Sequence, residues 1–201
     1  MLSFALAVFF LIITPGPGVL STAGVGAAYG FRDGTKYIGG LFIGNGLVAL
    51  AVISGLSAIL FSVPVVRYVL MAASIAYLTY LAAKIAFAGS QIAFIAATKS
   101  PGWRDGVALQ IINPKAYAVN TALFSNWAYA PDNLLFETAS KLVIFNAIWI
   151  PIHFVWLAAG VGLRSLDLPA KAQRRINYAM AAAMLAVVAL AIVAAIWGDS
   201  E

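Results

Sequence analysis

The chain has 201 residues, of which 63% are hydrophobic and 9% are charged, and its net charge is +5. A soluble domain carries about 25% charged residues, so this composition excludes a soluble protein and predicts an integral membrane protein. There is no cysteine and only one histidine, which excludes disulfides and leaves little for a protein-built metal site or another cofactor. The basic residues are spread over short loops. This pattern is typical of positive charges that set the orientation of a membrane protein, and it does not predict nucleic-acid binding.

Uncharged runs predict six transmembrane helices, because about 20 apolar residues are needed to cross the hydrocarbon core. We place these helices near 3–29, 38–61, 65–87, 107–129, 138–163 and 176–197. The fourth contains several polar residues, and an alternative with five helices would leave that segment re-entrant. The length leaves no room for a separate soluble domain, so the sequence predicts an all-α membrane protein with one transmembrane domain, 1–201.

The first predicted helix is interrupted halfway by Thr14, Pro15, Gly16, Pro17 and Gly18. Proline removes a backbone donor, and unsatisfied backbone survives at membrane depth only where it is buried in protein or lines a cavity. A helix that restarts after Pro17 would point its positive end at a substrate carboxylate. A kink tolerated for packing is the alternative, although one such residue normally suffices for a kink. The break therefore predicts a substrate-binding segment.

Ten of the twelve basic residues fall in the connections after the first, third and fifth predicted helices. The positive-inside rule then places these connections in the cytoplasm and both termini outside. Two of the connections share the pattern glycine, aromatic residue, Arg, Asp, glycine. Their charged pairs, Arg32 with Asp33 and Arg104 with Asp105, are candidates for gates at the cytoplasmic mouth or, alternatively, simple capped turns.

The fourth predicted helix carries a second break at Asn113 and Pro114. Asn113 can cap a restarting helix, and Pro114 suits its first turn. Lys115 is either an anchor at the interface or a cation that pairs with a substrate carboxylate. Each half, about 1–98 and 99–201, would hold three helices with a broken first helix. An odd number gives the halves opposite orientations, as in inverted-repeat transporters.

Polar residues in otherwise apolar helices complete the candidate site. His153 has an ordinary pKa near neutrality and is a candidate for proton coupling, with a hydrogen-bonded histidine inside the bundle as the alternative. Asn45 and Asn120 are the asparagines that we expect to face a cavity, although interhelical hydrogen bonds explain most such residues. Gly40 and Gly44 form a Gly-xxx-Gly element, for which close helix packing is expected. No catalytic residue is predicted.

In three blocks the sequence resembles the LysE/RhtB family of bacterial amino-acid exporters. The first block comprises Thr-Pro-Gly-Pro-Gly at 14–18 together with residues 30–34 and 39–44. The second block is 76–84, and the third is 106–124, which contains Ile-Ile-Asn-Pro-Lys-Ala at 111–116. They cover roughly residues 10–125 in the family's order and spacing, and 126–201 match in hydropathy. The chain departs from the family pattern where alanine replaces glycine at Ala82 or Ala83, and where the last predicted helix lacks glycine.

The resemblance implies a multi-pass protein of the bacterial inner membrane that exports an amino acid by antiport with protons. The predicted spans offer no carboxylate for a cationic side chain, which favours neutral substrates such as homoserine, threonine or leucine. An exporter of another small solute, such as a metal cation, would need a cluster of ligands. An intramembrane enzyme would need a nucleophile and a base. Both are kept as alternatives, and the sequence leaves a homo-oligomer open.

Overall fold

The computed structural model describes residues 1–56, 62–87 and 100–165, with 169, 171–172, 174–179, 181–183, 185–186 and 189. Every regular element among them is helical, which confirms the predicted all-α class. The helices are α1 (Leu2–Ile13), α2 (Pro17–Tyr29), α3 (Phe31–Ile53), α4 (Pro64–Ala86), α5 (Trp103–Ile112), α6 (Pro114–Ser125) and α7 (Leu134–Ser165). Residues 174–179 are also helical, and the rest of the predicted helix at 176–197 lies mostly outside the described residues.

Among the described residues, two helices are long and apolar enough to cross a membrane, namely α3 and the stretch Leu134–Leu163 of α7. The pair α1 and α2 passes the same test when it is taken as one span, bent by 52° at its break. A shorter apolar stretch, Tyr68–Ala83, lies within α4. The chain is therefore an all-helical membrane protein, and the arrangement of six helices in two inverted repeats stays a prediction.

The start of α3 differs from the predicted boundary near residue 38. Only Gly30 separates α2 from α3, and its φ of +85° lies in the left-handed region that glycine adopts without strain. Arg32 and Asp33 consequently lie in the first turn of α3 instead of in a loop. Asp105 likewise lies in the first turn of α5. Hydropathy placed both starts too late, because acidic side chains are favourable at a helix N-terminus although they are hydrophilic.

Close contacts between backbones hold α2 against α7 and α3 against α5. A Cβ at Gly160 of α7 would collide with the carbonyl of Ala23 in α2, and a Cβ at Gly40 of α3 would collide with the carbonyl of Trp103. Gly44 lies equally tightly against α5. The packing interpretation of Gly40 and Gly44 is thus confirmed. These contacts bring the end of α5 and the middle of α7 to the break between α1 and α2.

Candidate functional site

The first break leaves polar backbone groups exposed between α1 and α2. Gly16 is the residue before α2 and is fully extended, with φ −166° and ψ 178°. Pro17 occupies the first position of α2, where its missing N–H costs nothing. The amides of Gly18 and Val19 then have no carbonyl within their own helix to bond. On the other side of the break, the carbonyl of Thr14 is available to a partner from another helix.

The second break, between α5 and α6, is held by one asparagine. The Asn113 side chain accepts a hydrogen bond from the backbone N–H of Lys115 at 3.1 Å, so it caps α6 as predicted, and Pro114 follows at the first position. The amide nitrogen of Asn113 donates to Gln110 Oε1 at 3.0 Å. Both side chains are buried. Asn113 therefore fixes the start of α6 and the side chain of Gln110 at once.

Lys115 joins the two breaks. Its Nζ donates a hydrogen bond of 2.6 Å to the carbonyl of Thr14, 101 residues away in the chain. The side chain passes so close to Gly16 that a Cβ there would lie 2.6 Å from Cδ and 2.9 Å from Nζ. Within the described part of the chain, no carboxylate is within ion-pair distance of Lys115. Lys115 therefore faces the first break, and its role as the partner of a substrate carboxylate stays a prediction.

His153 approaches the same place from α7. It is 2% exposed, and its Nδ1 lies 2.9 Å from the carbonyl of Trp149. A carbonyl can only accept, so Nδ1 carries the proton, and Nε2 of the neutral ring is an acceptor. The imidazole stacks on the Trp149 indole with ring centroids 3.6 Å apart. Nε2 faces α2, where a Cβ at Gly18 would lie 3.3 Å from it.

A cavity of about 40 Å³ lies between the two breaks and α7. At the 10–15 Å³ that one water needs, it has room for about three waters. The cavity offers a cation, free helix amides and an imidazole acceptor beside an aliphatic wall. Its lining consists of Leu11, Ile12, Gly16, Gly18, Val19, Gln110, Asn113, Lys115, Val119, Trp149 and His153. The structure thus brings together predicted residues from both breaks and from α7.

Asn45 and Asn120 do not line this cavity. They lie between α3 and α6, where Asn120 Nδ2 donates to Asn45 Oδ1 at 3.1 Å and to the carbonyl of Ala116 at 2.8 Å. Both side chains are buried. The interhelical hydrogen bond considered from the sequence is therefore observed, and a role in substrate binding stays a prediction.

The two Arg-Asp pairs sit at helix starts. Asp33 accepts a hydrogen bond of 2.8 Å from Lys36 Nζ one turn further along α3. Asp105 accepts one of 2.8 Å from the backbone N–H of Gly102, just before α5. Both arginines are exposed. Asp105 thus caps the start of α5, whereas Asp33 forms an ion pair within α3, and a gating role for the pairs stays a prediction.

Among the cavity residues that sequence reasoning missed, Gln110 and Trp149 have polar atoms in their side chains. Each had a local signal. Trp149 lies four residues before His153, the spacing at which helical side chains meet on one face. Gln110 lies three residues before Asn113 and is polar within an apolar stretch.

Sequence reasoning also missed the ion pair between Glu137 and Lys141. Both lie inside α7, where they form an ion pair of 2.8 Å with side-chain exposures of 9% and 3%. Lys141 Nζ also donates to the carbonyl of Asn126 at 3.2 Å. Glu137 Oε2 accepts hydrogen bonds from the backbone N–H groups of Tyr129 and Ala130 at 2.9 and 2.6 Å. Their spacing, Glu four residues before Lys, is the signal for such a pair.

Comparisons with known proteins show which sequences this chain is similar to. The family model described as LysE type translocator matches residues 9–195 and so extends well past residue 125. A leucine efflux protein of Enterobacter sp. (strain 638) is 24% identical over 161 residues, which are 78% of this chain and 75% of that protein. A leucine efflux protein of Klebsiella pneumoniae is 25% identical over 128 residues, 61% of this chain and 60% of that protein. No solved structure matches the chain.

Proposed function

The chain belongs to the LysE type translocator family, and we propose that it exports a neutral amino acid across the bacterial inner membrane in exchange for protons. Within this function the cavity between the two breaks is the substrate site. The observation that carries the proposal is the 2.6 Å hydrogen bond from Lys115 Nζ to the carbonyl of Thr14. This bond places the Lys115 cation at the start of α2, inside a bundle of apolar helices. Among the described residues, no carboxylate forms an ion pair with this lysine.

The substrate carboxylate binds between Lys115 and the free amides of Gly18 and Val19. All of these groups are donors, and the positive end of the α2 dipole adds to their attraction for an anion. A carboxylate replaces the Thr14 carbonyl as the partner of Lys115, so that the ammonium group meets an opposite charge in place of a neutral acceptor. Hydrogen bonds to charged groups contribute about 1.5–3 kcal/mol each.

The substrate side chain lies against the aliphatic part of the lining, Leu11, Ile12 and Val119. This wall favours an apolar side chain over a cationic one. Glu137, a carboxylate inside α7, is already paired with Lys141 and does not serve a cationic substrate. The two relatives named leucine efflux protein make leucine the first substrate to test.

Transport requires the cavity to open, because about 40 Å³ is far below the roughly 300 Å³ at which small-molecule sites begin. In the proposed cycle the two broken helices separate at the Lys115 bond, admit the substrate from one side and release it on the other. His153 is the proposed proton-coupling group. The Arg-Asp pairs at the starts of α3 and α5 are the proposed cytoplasmic gates.

The proposed architecture is a single transporter domain of six transmembrane helices in two inverted halves, about 1–98 and 99–201. The first helix of each half is broken, as α1 with α2 and as α5 with α6, and both termini lie outside. The likeness of the breaks supports this arrangement, because the second piece of each begins with a proline, Pro17 or Pro114. Asn45 and Asn120, which join α3 to α6, would then link the two halves.

Uptake of radiolabelled amino acids into everted membrane vesicles tests the function, with leucine first and with or without an uncoupler. We expect uncoupler-sensitive accumulation of leucine or another neutral amino acid. Replacement of both Pro15 and Pro17 by alanine should reduce accumulation to the background of vesicles without the protein. Pro131→Ala, in an exposed loop, is the matched control. Normal export by a well-expressed double variant would refute the site, and no accumulation of any amino acid would refute the function.

A further inference from the structure

The two polar ends of the cavity are chemically opposite. Lys115 Nζ can only donate, whereas Nε2 of neutral His153 can only accept, because Nδ1 holds the proton in its 2.9 Å hydrogen bond to the Trp149 carbonyl. Each group lies against a glycine of the first break, Lys115 against Gly16 and His153 against Gly18. The cavity therefore suits a molecule that carries an acceptor and a donor side by side.

The spacing of the two glycines sets the scale of that molecule. Gly16 and Gly18 are two residues apart, so their α-carbons are separated by at most about 7 Å. A Cβ at Gly16 would lie 2.9 Å from Lys115 Nζ, and one at Gly18 would lie 3.3 Å from His153 Nε2. The two side chains thus flank one short segment of backbone, and the charged head of a zwitterionic amino acid carries its two groups on neighbouring carbons.

We propose that Nε2 of His153 accepts a hydrogen bond from the α-ammonium group of the substrate, so that the substrate and a proton compete for one lone pair. This inference rests on the proposed function and adds the atom at which exchange takes place. A proton that binds Nε2 removes the acceptor and places a positive charge against the ammonium group. The substrate is then released, and it can bind again only after His153 has lost the proton.

Lys115 is the other titratable side chain that lines the cavity, and it could also make binding depend on pH. Among the described residues, the others that line the cavity do not titrate; they are Leu11 and Ile12 from α1, Gly16, Gly18 and Val19 from the break and α2, Gln110 from α5, Asn113 and Val119 from the second break and α6, and Trp149 from α7. A ligand with a carboxylate and no ammonium group distinguishes the effect of Lys115 from that of His153. Such a ligand still binds Lys115, but it has no donor for the Nε2 acceptor of His153.

The test compares L-leucine with 4-methylpentanoate, which is leucine without its α-amino group, in equilibrium binding to the purified full-length protein. Leucine affinity should fall on acidification, by up to roughly tenfold for each pH unit below the His153 pKa. Affinity for 4-methylpentanoate should stay level or rise, since an imidazolium attracts a carboxylate. His153→Gln, which keeps an acceptor and cannot titrate, should bind leucine with an affinity that does not fall on acidification.

The outcomes separate this inference from the proposed function. Leucine binding that does not change with pH, in a protein that accumulates leucine in everted vesicles, overturns the inference alone. A loss of affinity on acidification that is equal for both ligands assigns the effect to the carboxylate that they share and also overturns it. If no amino acid accumulates in vesicles, the function and the inference fall together. The comparison of the two ligands uses the unaltered protein, so it holds even if His153→Gln does not fold.

Discussion

Two buried or half-buried lysines, Lys115 and Lys141, bond a main-chain carbonyl outside their own helices, and they do so in different surroundings. Lys141 reaches the carbonyl of Asn126 but also pairs with Glu137 at 2.8 Å, and the rings of Phe4 and Tyr129 lie 5.8 Å from its Nζ. In the part of the chain that the structure describes, Lys115 Nζ bonds only the carbonyl of Thr14, and the side chain borders a cavity.

The difference in their partners distinguishes Lys141, a cation with a structural role, from Lys115, a cation that is open to a ligand. The charge of Lys141 is neutralised by a carboxylate that backbone amides hold in turn, so the set is complete without any other molecule. The charge of Lys115 has a neutral partner that an anion can displace. A carboxylate ligand therefore has much to gain at Lys115 and nothing at Lys141.

The largest expected effect comes from Lys141→Met. This change leaves Glu137 buried without its cation, and we expect the Tm of the detergent-solubilised protein to fall by about 10 °C. The double variant Lys141→Met, Glu137→Gln should recover part of this loss, because no unpaired charge is left. Lys36→Met, which breaks an exposed ion pair, is the control and should change the Tm little. An unchanged Tm in Lys141→Met would remove the contrast between the two lysines.

Lys115→Met should affect leucine binding and not thermal stability, the opposite of what we expect for Lys141→Met. It removes the partner of the substrate carboxylate, so we expect leucine binding or uptake to fall about 10- to 100-fold while the Tm stays close to that of the parent. Calorimetry and vesicle uptake on the same preparation measure both quantities. A variant that unfolds as Lys141→Met does, or that transports normally, would show that Lys115 is a structural residue.

Gly16→Ala tests the contact that holds Lys115 in place. The added methyl group displaces Nζ from the Thr14 carbonyl, since it would lie 2.9 Å from Nζ. The extended backbone of Gly16 accepts alanine, so the effect should come from Lys115 alone. We expect uptake to fall by up to roughly tenfold, the equivalent of one hydrogen bond. Gly46→Ala, with nothing within 4 Å of the new methyl group, is the matched control and should transport normally.

Asn113→Ala should have the smallest effect. It removes the cap of α6 and the bond to Gln110, at a cost of about 1 kcal/mol, which corresponds to roughly a fivefold loss of uptake. Asn113→Ser keeps a capping oxygen and should retain most of the activity. Equal losses in both variants would mean that the bond to Gln110, and not the cap, matters for transport.

The sequence predicted those parts of the site that depend on local chain chemistry. The break at Thr14 to Gly18 and the cap at Asn113 follow from proline, glycine and asparagine at particular positions, and the structure has both. The contact of Lys115 with Thr14 could not be predicted in this way, because it joins residues 101 positions apart. The ion pair of Glu137 with Lys141 was missed because a hydropathy profile scores each charge singly and does not register that two charges neutralise each other.

The stacking of His153 on Trp149 has a consequence for spectroscopy. The two rings lie 3.6 Å apart and nearly parallel, at 22°. A protonated imidazole quenches the fluorescence of an adjacent indole more strongly than a neutral one, so Trp149 reports the charge of its neighbour as emitted light. The chain has five tryptophans, and a variant that keeps only Trp149 would show the arrival and departure of a proton in the cavity without any added dye.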